Sequence, residues 1–130
     1  MENLTLNEYQ KRAMSTCMVT SANPLYMLLM LGEEVGELQG KFSKAIRKGR
    51  ISFSDNQLRI HSLSMERSEL EEWMELVKKE IGDCLWGIAG IAKVMGWSLE
   101  YVAQGNLDKL AARKAADTID GNGDGIIREK

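Results

Sequence analysis

The stretch from Ile81 to Met95, IGDCLWGIAGIAKVM, constrains this chain more than any other. It is 15 residues long, and Asp83 and Lys93 carry its only charges. It falls short of the roughly 20 residues that a membrane span needs. As a helix it shows Ile, Leu, Trp, Val and Met around nearly its whole circumference, so it is expected to be buried most of the way round. A carboxylate in such surroundings costs on the order of several kcal/mol unless it is paired. Asp83 therefore needs a partner, and Lys93 projects from a different side. Glu80, three residues earlier, shares the side of Asp83, as do Gly87 and Gly90, whose missing side chains let another helix or a ligand come close. The plainer alternative for Asp83 is a structural hydrogen bond from a serine or a backbone amide.

The rest of the chain reads as helix. Proline occurs once, at Pro24, and no long alternating strand pattern is present. Thr5 with Glu8 forms a capping box, followed by Leu6, Tyr9, Ala13 and Cys17 at helical spacing, which predicts a helix over 6–19. Asn23-Pro24 is an N-cap followed by a first-turn proline, opening a second helix that closes at Gly49. Residues 50–63 are rich in Ser, Asp, Asn and Gln and are expected to form a loop. Ser68 with Glu71 suggests the cap of a third helix ending at Gly96, and Ser98 caps a fourth that reaches about Lys114. The expected fold is all-α: an antiparallel bundle of about four helices over residues 1–116, with an irregular Gly- and Asp-rich tail over 117–130.

In the second helix, Leu31, Val35, Leu38 and Phe42 fall on one narrow stripe expected to face the core. Glu34 borders it, Glu37 lies one turn on, and Glu33 is four residues from Glu37. Like charges this close repel, so an isolated helix disfavours them. A solvated acidic face is one reading. If the second and third helices face each other, however, Glu33, Glu34, Glu37, Glu80 and Asp83 gather five negative charges that a hard divalent cation would balance. Carboxylates without His or Cys suit Mg²⁺, with Mn²⁺ as a substitute, rather than zinc. Lys41, Lys44 and Lys48 continue the row and suit a polyphosphate bridging metal and ammonium. The competing reading pairs Lys41 with Glu37 on the same helix.

Composition narrows the function classes. The formal net charge is -2, which offers no general attraction for a nucleic-acid polymer or an anionic membrane. Cys17 and Cys84 stand in no metal or redox spacing and are read as reduced thiols of a cytoplasmic protein. His61 is the single histidine, so acid–base or metal chemistry must come mainly from carboxylates.

EExxE at 33–37 and ExxD at 80–83, each on a long helix, resemble the signature of the all-α nucleoside triphosphate pyrophosphohydrolases. The whole chain is similar to their MazG-like branch, through LNEYQ at 6–10, AIRKG at 45–49, KKEIGD-LW from Lys78, and NLDKLAAR at 106–113. The resemblance implies a Mg²⁺-dependent enzyme that converts a nucleoside triphosphate to its monophosphate and diphosphate, assembled as a homodimer or homotetramer. It implies metal-ligand roles for the five acids, one of Glu33 and Glu34 also taking the water's proton, and substrate contacts for Lys41, Lys44, Asn106, Lys109 and Arg113. Tyr9, Gln10 and Trp86 are candidates for contacts with the base, with core packing the favoured role for Trp86.

The tail admits two functions. DGNGDGII at 120–127 matches the front of an EF-hand calcium loop, although the twelfth, bidentate position falls beyond Lys130. It also resembles the closing segment of MazG-like proteins, in which a glycine-rich turn presents an acid and an arginine to the nucleotide. Here these would be Asp124 and Arg128, two residues further apart than the usual GDxR. The calcium-sensor reading, and a non-catalytic helical module that binds a metal or a basic partner, are the alternatives to the enzyme.

Overall fold

The computed structural model describes residues 3–116. Four helices follow one another: α1 (Leu6–Met14), α2 (Pro24–Arg47), α3 (Arg67–Val94) and α4 (Leu99–Ala115). The all-α bundle expected from the sequence is present, with one addition. Between α2 and α3 the expected loop forms a two-stranded antiparallel hairpin, β1 (Ile51–Ser54) and β2 (Gln57–Ile60). Its two-residue turn is Asp55-Asn56, both at positive φ, a geometry whose twist matches that of the flanking strands. Ile51 is buried, and Arg50 bridges to Glu69 at 3.3 Å, fixing the hairpin to the start of α3.

Helix ends follow local hydrogen bonding. Thr5, Asn23 and Ser98 cap α1, α2 and α4 as expected. Gly49 and Gly96 take positive φ beyond α2 and α3. In each case the amide of the glycine and that of the next residue bond back to the last turn: Gly49 to Ile46, Arg50 to Ala45, Gly96 to Lys93 and Trp97 to Ala92. This double bond satisfies carbonyls that the helix leaves open. Two boundaries differ from expectation. Helix α1 stops at Met14 because the hydroxyls of Ser15 and Thr16 donate to the carbonyls of Arg12 and Ala13, and a 3-10 turn at Val19–Ser21 follows. The third helix is capped two residues early, by Glu66, whose amide donates to Glu69 at 2.9 Å, and Ser68 lies inside its first turn.

The bundle is organised around an antiparallel seam between α2 and α3. Along it Met27 meets Gly90, Met30 and Leu31 meet Gly87, Lys41 meets Glu80, and Phe42 meets Trp73 edge-on at 5.2 Å between ring centres. The two glycines are what let the helices approach. A Cβ at Gly90 would overlap the Met27 sulfur and stand 2.8 Å from its terminal methyl, while Met27 is wholly buried. On the other side of α3, α1 is held by Gln10. Its amide nitrogen donates to the carbonyls of Ala89 (3.2 Å) and Trp97 (3.0 Å), and its oxygen accepts from the Leu99 amide (3.1 Å). Gln10 thus joins α1 to the α3–α4 turn over a core of Ala89, Ala92 and Leu99. All three of these hydrogen bonds go to backbone, which gives Gln10 a structural role.

The expectation that α3 is buried nearly all round does not hold for one chain. Ile81, Leu85 and Ile88 are exposed, as are Leu25, Leu28 and Leu29 on α2, and Asp83 too is exposed. Val35 also faces outward, while Glu34 and Lys41 are partly covered near the seam.

The close approach can be tested by two substitutions in α3. Gly90→Ala gains helix propensity but must displace Met27, so thermal unfolding should fall by about 1–2 kcal/mol net. Gly82→Ala, where a Cβ meets no described atom within 4 Å, should instead be neutral or stabilising by up to about 1 kcal/mol. Equal effects at the two positions would contradict the seam.

Candidate active site

Halfway along the seam, where the glycine–methionine contacts end, acidic side chains come together. Carboxylate oxygens of Glu34, Glu37 and Glu80 all lie within 4.8 Å of one another, two from α2 and one from α3. Glu80 is the deeply placed member, 8% exposed. One of its oxygens, Oε1, is 3.2 Å from Nζ of Lys41, and the other, Oε2, is buried and without a hydrogen-bond partner among the described residues. An orphaned buried carboxylate oxygen facing two more carboxylates fits a hard cation, because it supplies acceptor capacity that nothing else uses.

The electrostatics agree. Partial burial pushes the Glu34 carboxyl above its ordinary range, and the charges of Glu37, Asp83, Glu80 and Glu33 push it further the same way. Burial raises the Cys84 thiol, and Glu34, Asp83 and Glu80 add to the shift. Tyr9 is likewise raised, first by burial and then by Asp83. Five acids therefore share one field, although they do not share one set of contacts. Asp83 lines a cleft with Glu34, Thr16, Tyr26, Met30 and Trp86. Glu33 lies on the opposite flank, in a cleft with Gly36, Glu37, Gly40, Lys41 and Lys44.

The cations continue past the acids. Lys41, Lys44, Lys48 and Arg50 line a pocket between the end of α2 and the start of α3, together with Glu69, Glu72 and Trp73. Lys41 pairs across the seam with Glu80 and not along its own helix with Glu37, which replaces the within-helix alternative. The Trp73 indole donates to the Lys41 carbonyl at 3.1 Å and fixes the backbone there. Trp86 donates to the Ala13 carbonyl (3.1 Å) and the Thr16 hydroxyl (3.0 Å), so its ring is held at the wall of the Glu34–Asp83 cleft. Tyr26 and Thr16, on that same wall, carry no motif and were not legible as site residues.

The remaining candidates stand apart. Asn106, Lys109 and Arg113 lie on α4, which packs mainly on α1 and α3, and none of these clefts is lined by α4. Asp124, Arg128 and the calcium-loop pattern at 120–127 lie outside the described residues.

Paired carboxylates on facing helices of a bundle are an arrangement that can hold metal ions between helices. The sequence profile of the MazG nucleotide pyrophosphohydrolase domain matches residues 22–116, and the chain belongs to that family of hydrolases acting on phosphoanhydride bonds. The chain is also similar to the Gene 37 protein of Mycobacterium phage L5, at 31% identity over 100 residues, covering 76% of this chain and 73% of the relative. No solved structure gives a significant match. Among the described residues no helix is long and apolar enough to cross a membrane.

The raised Glu34 carboxyl has a measurable sign. In metal-free protein the folded state holds the Glu34 proton more tightly than the unfolded chain. Its contribution is therefore favourable below the ordinary carboxylate range and is lost as pH rises through the folded value. Glu34→Gln without metal should melt above wild type at neutral pH, with the gap closing as pH falls into the ordinary carboxylate range. A variant that melts lower at neutral pH would contradict the crowding of charge.

Proposed function

We propose that the protein is a Mg²⁺-dependent nucleoside triphosphate pyrophosphohydrolase that cleaves between the α- and β-phosphates, releasing a nucleoside monophosphate and diphosphate. The observation that carries this reading is the group of Glu34, Glu37 and Glu80, with its orphaned buried oxygen, standing directly beside Lys41 and Lys44. All-oxygen donors favour Mg²⁺ or Mn²⁺ over softer metals. Glu34, Glu37 and Glu80 would hold the cation, with Asp83 and Glu33 flanking it. When bound, it would neutralise phosphate charge and acidify a water molecule.

The chain's own residues do the rest. Of Glu33 and Glu34, the two candidates for the general base, Glu33 lies outside the group of three and is assigned the proton of the attacking water. The ammonium groups of Lys41 and Lys44 offset charge on the departing diphosphate, since phosphoryl transfer relies mainly on positioning and electrostatics. Trp86 and Tyr26 offer flat apolar walls to the nucleoside beside Glu34 and Asp83. On the family pattern Asp124 and Arg128 would contact the substrate, as would Asn106, Lys109 and Arg113 of α4, which in one chain line none of the clefts around Glu34 and Glu37. The exposed rows Leu25, Leu28, Leu29 and Ile81, Leu85, Ile88 are apolar surface that a second copy could cover, which supports a homodimer or homotetramer. Both cysteines are free thiols, in keeping with the reducing cytoplasm.

Incubated with Mg²⁺ and a panel of nucleoside triphosphates, the purified protein should release pyrophosphate, and by light scattering it should run at a multiple of 14.6 kDa. Glu37→Gln should lower kcat at least about a hundredfold. Orthophosphate as the sole product would overturn the assignment of the cleaved bond. Absence of turnover, with Mg²⁺ still raising the melting temperature, would leave a structural metal module.

A further inference from the structure

Lys41 is engaged with the acidic group itself. It sits on α2 four residues beyond Glu37, yet its ammonium crosses the seam to Glu80, the most buried of the three clustered carboxylates. There it neutralises one oxygen and leaves the other orphaned. A lysine ammonium is a compact monovalent cation on a flexible stem. Its place beside Glu80 is one that a divalent cation held by Glu34, Glu37 and Glu80 would contest. The stem is also free to leave. The Lys41 side chain is 27% exposed and borders both the Glu33–Glu37 cleft and the basic pocket of Lys44, Lys48 and Arg50. Trp73 meanwhile holds the backbone carbonyl of Lys41 in place.

We propose that Lys41 is a tethered counter-ion that makes metal loading depend on nucleotide. In the free protein its ammonium stays on Glu80 and competes with the divalent cation. When metal and triphosphate arrive together, the metal takes Glu80 and the ammonium moves to the substrate's phosphates. Metal alone must displace Lys41 into solvent, whereas metal with nucleotide gives it a new anionic partner. The two ligands therefore bind cooperatively, and linkage makes the coupling reciprocal. The inference rests on Glu34, Glu37 and Glu80 being the metal site, but it concerns affinity and not turnover.

The test is Mn²⁺ binding, followed by the electron paramagnetic resonance signal of free Mn²⁺, with and without an α,β-methylene nucleoside triphosphate, the Mn²⁺ held by the analogue alone being subtracted from a protein-free titration. Wild type should bind Mn²⁺ several-fold more tightly with the analogue than without it. Lys41→Met should bind Mn²⁺ alone about fivefold more tightly than wild type, the size a partly exposed ion pair supports, and should lose most of the gain from the analogue. Lys41→Arg should resemble wild type. Lys44→Met removes a charge from the same wall without an ion pair to Glu80, and should tighten Mn²⁺ binding less than twofold. Circular dichroism confirms that each variant is folded. Equal Mn²⁺ affinity in wild type and Lys41→Met, or equal gains in Lys41→Met and Lys44→Met, would overturn the counter-ion role while leaving the metal site standing. No Mn²⁺ binding by any variant, with or without analogue, would overturn the metal site itself and the counter-ion role with it.

Discussion

The contact of Gly87 and Gly90 with Met30, Leu31 and Met27 sets the register on which everything else in this protein depends. It brings α2 and α3 close enough for side chains to meet across the seam, and it fixes which turns face each other. With Met27 at Gly90, the antiparallel direction places Glu34 near Asp83, Lys41 at Glu80 and Phe42 at Trp73. The apolar end of the seam thus fixes the geometry of the charged part. Gln10 reinforces it from behind, tying α1 to the end of α3 through three bonds to backbone.

That register has an electrostatic cost. Three carboxylates within 4.8 Å, two more nearby, and a buried oxygen without a donor destabilise the metal-free fold. Lys41 offsets part of this, and a hard cation would offset the rest. Strain of this kind at a site, relieved by ligand, is how a scaffold reserves binding free energy for function. The exposed leucine and isoleucine rows on α2 and α3 are a second unfinished surface, of a different chemistry.

Much of the scaffold was legible because it rests on short-range rules. Thr5, Asn23-Pro24, Gly49, Gly96 and Ser98 mark helix ends through bonds made within a turn, and five of the acids could be placed on two helices from spacing alone. What failed was partly competition between local signals and partly tertiary. The hairpin is four residues a side, half polar, and turns on Asp-Asn, so composition read as loop, although Ile51 and Phe53 against Leu58 and Ile60 carry the alternation. Glu66–Glu69 and Ser68–Glu71 are overlapping capping patterns, and preference for a serine cap chose the wrong one. Asp83 lies exposed, as do Ile81, Leu85 and Ile88, and no single-chain periodicity distinguishes such an open face from full burial. The partner of Lys41 depends on the register of α3 and so lay beyond the reach of α2's own sequence.

The central claim is that α2 and α3 converge on one shared cation. Crystals grown with Mn²⁺ and measured above its absorption edge test it directly. The account predicts anomalous density in contact with carboxylate oxygens of Glu34, Glu37 and Glu80 together. Manganese bound elsewhere, with those three side chains ordered and free of it, would contradict the account.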